Sequence, residues 1–298
     1  MAPLISVVVC TYNRSSFLET CLQSLANQTL DKKAYEVVIV DNHSTDKTQE
    51  VAERFTRTYG TFRVIRENMQ GLSYARNRGW HEAKGGYVAY IDDDARAAPD
   101  WCEQIKIFFE KHSDAKGVGG PYKAYTPSPP PEWFPSDYGS WTLGEATRPL
   151  GNDEWINGTN MIFAIEALRE LDGFQEKLGM RGERLSYGEE TNYLIRLREK
   201  EYLLYFCPLI TVEHAILSYK FSLSWLFKSS YANGMSARRT FQRTRPIGKC
   251  LSMVCTALVK GVVNLIISQE RFFRTRVYYA FNPFYWHLGF LVGHLRRN

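Results

Sequence analysis

Asp92, Asp93 and Asp94 follow directly on residues 86–91, the strand-like run Gly-Tyr-Val-Ala-Tyr-Ile. A β-branched and aromatic run that ends in carboxylates puts negative charge at the carboxyl end of a buried strand, which is where open α/β sheets bind their ligands. The three carboxylates repel one another, and no basic residue follows them before Arg96. A hard divalent cation, Mn²⁺ or Mg²⁺, relieves that repulsion through oxygen ligands and keeps positions open for substrate phosphates. The cluster therefore suggests a metal–diphosphate site, against the plainer reading of a solvated acidic turn.

The surrounding pattern supplies the elements that must hold such a site. Residues 5–10 (Ile-Ser-Val-Val-Val-Cys) read as a strand buried on both faces, broken by Thr11-Tyr12-Asn13-Arg14. Ser15 or Ser16 is the candidate N-cap of a helix carrying Leu18, Cys21, Leu22 and Leu25 at helical spacing. A second strand over 35–40 ends at Asp41-Asn42, and Ser44 or Thr45 can cap a helix with Val51, Ala52 and Phe55. A short strand over 62–65 and the segment 71–80 precede the fourth strand, 86–91. Alternating strand and helix predicts an α/β fold with a parallel sheet and right-handed crossovers. Residues 121–135, rich in proline and followed closely by Trp141, read as an extended connection, either a stiff surface loop or an aromatic platform beside an acceptor. Further on, a strand and a helix over about 165–171 stop at Gly173-Phe174. Gly188-Glu189-Glu190 opens another helix, and late strands over 202–206 and 209–212 close at Glu213-His214.

Composition narrows the class. With 298 residues, 44% of them hydrophobic, the chain can form one large α/β domain with an appendage. Its six cysteines show neither CxxC pairs nor metal-ligand spacing, so they read as buried thiols of a reducing compartment. The first residues lack the charged and apolar regions of a signal peptide. The net charge of +5 hides an asymmetry. Residues 216–298 hold 13 basic side chains against one acid, Glu270, whereas the other 215 residues carry 24 basic and 31 acidic ones. Such a segment calls for an anionic partner, nucleic acid or a membrane surface.

Six motifs in order resemble one family. Residues 6–14 (Ser-Val-Val-Val-Cys-Thr-Tyr-Asn-Arg), 38–46 (Val-Ile-Val-Asp-Asn-His-Ser-Thr-Asp) and 68–77 (Asn-Met-Gln-Gly-Leu-Ser-Tyr-Ala-Arg-Asn) are similar to the opening segments of family-two glycosyltransferases of the GT-A fold. Asp92-Asp93-Asp94 with Pro99, then Gly158-Thr159-Asn160-Met161 and Asp172-Gly173-Phe174, continue the resemblance over roughly residues 4–215. It implies a Rossmann-like, mostly parallel sheet flanked by helices, with a helical C-terminal extension. Residues 1–215 would be the catalytic domain, 1–100 its nucleotide-binding half and 101–215 its acceptor half.

The resemblance also implies roles. Thr11, Tyr12 and Asp41 would line the base and ribose pocket, with Asn13, Arg14, Asn42, Ser44, Gly71 and Asp93 in the donor site around them. Arg76 would approach the base or diphosphate, Asp92 the ribose, and Asp94 the metal, with Asp92 and His214 completing the metal shell. The family's base usually lies in a Glu-Asp pair; here the pair is Glu189-Glu190. Glutamate has nearly the same intrinsic acidity, so Glu190 is the expected general base, with Glu189 the other candidate. The implied activity is inverting, metal-dependent transfer of a hexose from a nucleoside-diphosphate sugar, UDP-linked, to an acceptor hydroxyl. The alternative from another class is an inert nucleotide-sugar-binding scaffold.

In the basic tail, residues 251–268 approach transmembrane length, yet Thr256, Lys260, Asn264 and Ser268 recur every four residues as a polar stripe. A lysine at mid-span costs about 2.5–3.5 kcal/mol on insertion scales. An amphipathic helix in the membrane interface fits better. Arg238, Arg239, Arg243, Arg245 and Lys249 precede it, and Arg271, Arg274, Arg276 and a dense aromatic group follow. Peripheral contact at the inner face of the cell membrane, with a sugar or lipid-linked acceptor in polysaccharide or glycolipid assembly, is the expectation. A homodimer-forming tail on a soluble transferase is the competing one. Nucleic acid is excluded as a partner, because the segment is too apolar and shows no binding module.

Overall fold

The computed structural model describes residues 2–241 and 245–296; Arg243 of the basic tail lies outside them. Two compact units divide the chain. The first comprises residues 1–125, 139–177 and 190–215, and the second 126–138, 178–189 and 216–298.

The first unit is built on an eight-stranded sheet. Its core strands are β1 (Ile5–Thr11), β2 (Tyr35–Asp41), β3 (Phe62–Arg66) and β4 (Tyr87–Asp92), arranged β3-β2-β1-β4. These four run parallel, so their carboxyl ends share one edge. Registers pair Thr11 with Asp41 and Cys10 with Asp92. The order turns at β1, which has β2 on one side and β4 on the other. That is the switch point where such sheets bind ligands.

Beyond β4 the sheet continues through β9 (Asn160–Ala164), β6 (Gly117–Gly119), β10 (Leu204–Phe206) and β8 (Arg148–Pro149), with β9 and β8 antiparallel to their neighbours. A second sheet orders β5 (Ala95–Ala97), β11 (Val212–Ala215) and β7 (Tyr122–Tyr125). The sheet is thus mostly parallel rather than parallel throughout.

Alternation along β1 explains the layering. Ile5, Val7 and Val9 join a core with α1 (Ser15–Ala26), α2 (Thr48–Thr58) and α4 (Trp101–Lys111). Val8 points to the opposite core, shared with α3 (Leu72–Glu82), α5 (Ile165–Glu170) and α6 (Glu189–Glu199). All these β1 positions are fully buried, as a strand with helices on both faces requires.

Several local expectations shift. Arg14, not Ser15 or Ser16, is the N-cap residue of α1, and Lys47 precedes α2 in place of Ser44 or Thr45. The reason is that the Asn13, Ser44 and Thr48 groups are used between the two loops: Ser44 Oγ accepts from Asn13 N and Thr48 Oγ1 from Arg14 N. The proline-rich stretch is not wholly irregular, because residues 122–125 pair with β11 as a strand. His214 lies inside the last strand, not after it.

The second unit contains α7 (Leu223–Phe241), α8 (Ile247–Ile267) and α9 (Phe273–Leu295). Small residues let α7 and α9 approach closely: a Cβ built on Gly234 would lie 1.9 Å from Trp286 O, and one on Gly289 2.0 Å from Tyr231 O. Close backbone approach of this kind needs glycine. Segment 126–138 packs within the same unit, where Tyr279 Oη donates to Asp137 Oδ1 at 2.5 Å and the Arg274 guanidinium lies 5.6 Å over the Trp133 ring. α8 has a mean hydropathy of 2.0 over its most apolar 18 residues, long and apolar enough to cross a bilayer, and only 17% of that window is buried.

Candidate active site

The carboxyl ends of β1, β2 and β4 deliver Thr11, Asp41 and Asp92 to one edge, and each loop beyond them is tied by side chains. Asn13 adopts φ 52°, a left-handed conformation that asparagine tolerates. Its Oδ1 accepts from Thr45 N at 2.7 Å, so the β1–α1 and β2–α2 loops form one platform. Asp41 is buried and its Oδ1 accepts from Ser44 N at 3.0 Å. Asn42 Nδ2 donates to Met69 O at 2.8 Å, while Asn42 Oδ1 accepts from Gly71 N at 2.7 Å. Gly71, at φ 152°, caps α3 and launches Arg76. Thr11 is buried and Tyr12 half-buried beside it in sequence. Asn13, Asn42 and Ser44 therefore fix the geometry of the loops at this edge.

Arg76 is almost fully buried. Its Nη2 donates to Gly158 O at 3.3 Å and stands 3.7 Å from Asp92 Oδ1. A buried guanidinium needs such partners, because an uncompensated buried charge is strongly destabilising. Asp92 also accepts from the Thr159 hydroxyl. Register explains that contact: Ile91 pairs with Asn160 across β4 and β9, leaving Thr159 beside Asp92. Thr159 was visible in sequence only as part of the Gly-Thr-Asn motif, with no hint of its partner. Asn160 is tied in as well, its Nδ2 donating to Ile210 O at 2.7 Å and Pro121 O at 3.1 Å.

β5 begins immediately after Asp94 and pairs antiparallel with β11, placing Ala95 opposite His214. Ala215 N donates to Asp94 O at 2.9 Å, and His214 Nε2 lies 3.1 Å from Asp94 Oδ1. Asp92, Asp94 and His214 thereby bring one ligand atom each to within 4.8 Å of one another. Two carboxylate oxygens and an imidazole nitrogen are a donor set suited to Mn²⁺ or Mg²⁺, so the residues fit a divalent cation. Asp93 is as buried as Asp94; burial first, then the charge of Asp94, push its carboxyl up to about 7. It belongs to the wall of the site. Tyr122, not singled out by sequence, sets its ring edge-on to His214 at 6.0 Å, and Trp141 stacks on Tyr122 at 6.2 Å.

Glu189 and Glu190 open α6, Glu189 buried and Glu190 half-buried. In the first turn an acidic residue is favoured by the positive end of the helix dipole. The Asp172-Gly173-Phe174 motif is bonded to α3: Asn77 Oδ1 accepts from Phe174 N at 2.8 Å, and Asn77 Nδ2 donates to Phe174 O at 2.8 Å.

Comparison with known proteins agrees with this construction. The family described as Glycosyl transferase family 2 matches residues 6–170. A glucosyl-dolichyl phosphate glucuronosyltransferase of Haloferax volcanii is 31% identical over 243 residues, 78% of this chain and 76% of the relative. A validoxylamine A glucosyltransferase of Streptomyces hygroscopicus subsp. jinggangensis is 31% identical over 155 residues, 52% of this chain and 37% of its own. Among solved structures, the mannosyltransferase PcManGT from Pyrobaculum calidifontis, in complex with GDP-Man and Mn²⁺, superposes with a TM-score of 0.67 at 16% identity, covering 99% of this chain and 88% of that one. S. aureus TarS 1-349 in complex with UDP gives 0.58 at 17% identity, covering 98% and 90%. The structural likenesses establish the GT-A fold, and the sequence relatives establish the activity class: this chain belongs to glycosyl transferase family 2 and is a glycosyltransferase.

Proposed function

We propose that the protein transfers a sugar from a nucleoside-diphosphate sugar to an acceptor hydroxyl with inversion, in polysaccharide or glycolipid assembly at a membrane. The observation that carries this is the convergence of Asp92, Asp94 and His214 at the carboxyl edge of the parallel strands. We take residues 1–215 as the catalytic domain and 216–298 as a membrane-facing extension. A divalent cation held by Asp94, Asp92 and His214 would supply neutralisation of the diphosphate leaving group. Thr11, Tyr12 and Asp41 bind base and ribose, and Arg76 holds Asp92 in place. Glu190 accepts the acceptor's hydroxyl proton as that oxygen bonds to the anomeric carbon and the bond to the diphosphate breaks. A single base with no protein nucleophile means one displacement, and hence inversion.

UDP is the proposed nucleotide, supported by the UDP complex of TarS, although PcManGT takes GDP-Man. The lipid-linked acceptor draws on the dolichyl phosphate relative and on the apolar, basic α7–α9 segment. Both support a proposed place at the inner face of the cell membrane. Thermal stabilisation by UDP, GDP and their sugars with Mn²⁺ identifies the donor. Glu190→Gln is expected to lower transfer by about 10²–10⁴-fold while leaving that stabilisation intact. Near-normal turnover of the variant rejects Glu190 as the base.

A further inference from the structure

α8 presents three different sides. At about 100° per residue, Cys250, Ala257 and Gly261 fall along one side, and these are its buried residues. They are small, so α9 comes close: a Cβ built on Gly261 would meet Ala280 O at 2.7 Å. Thr256, Lys260 and Asn264 wind along a second side, all exposed. The third side is apolar and also exposed. Leu258, Val259, Val262, Val263 and Ile266 lie open along it, Ile266 at 76%, while Ile267, 67% exposed, falls beside Lys260 at its border. A contiguous aliphatic surface of this kind on a folded chain marks an interaction site.

Charge says what covers it. Arg245 and Lys249 at the start of α8, Lys260 along it, and Arg271 and Arg274 beyond its end are all exposed. Glu270 is the only acid between residues 216 and 298. A second copy seated on the same side would bring two such basic segments together, whereas an anionic lipid surface complements them. A membrane span is disfavoured for a different reason: it would carry the exposed Lys260 into the hydrocarbon at mid-helix.

We infer that α8 lies in the plane of an anionic bilayer surface. Its side from Leu258 to Ile266 enters the acyl boundary, while Lys260 and the flanking arginines sit at the phosphates. This deepens the membrane-facing part of the proposed function by naming the contacting helix side and the lipid charge; the transferase chemistry does not depend on it.

The chain supplies its own reporter. Cys255 is the one exposed cysteine among the described residues, and it stands four and seven residues before Val259 and Val262, on the apolar side. The full chain labelled there with an environment-sensitive dye is mixed with vesicles of phosphatidylcholine, with or without phosphatidylglycerol. Unlabelled protein is floated with the same vesicles, and stabilisation by Mn²⁺ and UDP is measured in parallel. A blue shift and flotation at least about tenfold stronger with phosphatidylglycerol are expected, both lost in the doubly substituted Val262→Glu, Ile266→Glu chain. That chain should keep its nucleotide-induced stabilisation, because both residues are exposed.

Absence of shift and flotation overturns the inference, and retained nucleotide binding in the same sample leaves the transferase reading standing. A shift that appears without vesicles and grows with protein concentration means a second copy covers the surface, and also overturns it. Quenching strongest from a spin label deep in the acyl chains overturns the in-plane placement in favour of a span.

Discussion

At the strand ends, Asp92 and His214 meet across more than a hundred residues of sequence, and each polar atom has a brace from another segment: Thr159 and Arg76 for Asp92, Ala215 N for the Asp94 carbonyl. On α8, five exposed aliphatic side chains, from Leu258 to Ile266, come from nine consecutive residues and stand open on one side of the helix. The first region concentrates charge and must neutralise it by tertiary contacts, because buried polar groups are costly unless paired. The second displays apolar surface that helix periodicity alone sorts onto one side. A site that does chemistry needs long-range positioning, whereas a surface that meets a fluid partner needs only a face.

Breaking the first region should cost activity and leave the fold. Asp94→Ala removes a proposed metal ligand and a partner of His214, and turnover is expected to fall by about 10³-fold, equivalent to about 4 kcal/mol of barrier. Loss of the Mn²⁺-dependent part of UDP stabilisation, with the metal-free melting temperature kept, checks the assignment. Breaking the packing of α9 against α7, in the unit that carries α8, should do the reverse. Gly289→Val drives a side chain against Tyr231 O, where the Cβ alone would sit 2.0 Å away. Overpacking of this sort costs about 1–3 kcal/mol or more. Chemical denaturation should show it as a shifted transition, and donor binding should persist; a variant as stable as the parent would show that the α7–α9 crossing can relax.

Smaller effects sharpen the contrast. Thr159→Val takes away a hydroxyl donor to Asp92 but no metal ligand. Partners that orient ligands are worth about 10–100-fold in metal affinity, so a Mn²⁺ titration should weaken by that factor, and an unchanged titration would mean Arg76 alone orients Asp92. The smallest expected effect lies away from both regions. Burial works to raise the Glu36 carboxyl, but hydrogen bonds from Ser6, Arg63 and the Lys84 amide outweigh it and hold it below the usual range. A depressed folded-state value contributes stability above the unfolded value and loses it as pH falls through the folded one. Glu36→Gln should therefore cost about 1 kcal/mol near neutrality and flatten the acid limb of the stability curve, as read from denaturation between neutral and acidic pH.

The periodicities of the chain are local, and what depends on them was legible. β1, β2 and β4 lie where short continuous apolar runs rich in Val, Ile and Tyr put them, and the carboxyl-end aspartates follow because a strand's end is a sequence position. Of the polar stripe, Thr256, Lys260 and Asn264 are exposed on α8 as their four-residue spacing implies, whereas Ser268 lies just past the helix and is half-buried. Capping was less legible: Ser15 and Ser44 have the right chemistry for N-caps, but the two loops compete for Ser44 Oγ and Thr48 Oγ1, and a competition between distant segments leaves no local trace.

The sequence by itself determined which residues carry charge at strand ends, which helices are amphipathic, and that the tail is basic and apolar. These are properties of neighbours along a chain. Only the tertiary structure decided that β11 runs beside β5 and so sets His214 against Asp94. The same is true of β9, whose antiparallel entry between β4 and β6 puts Thr159 on Asp92, and of Tyr122, which reaches His214 through β7. Strand order and register follow from how the whole sheet buries both its faces, and that free energy is shared among segments too far apart in sequence for any one of them to encode it.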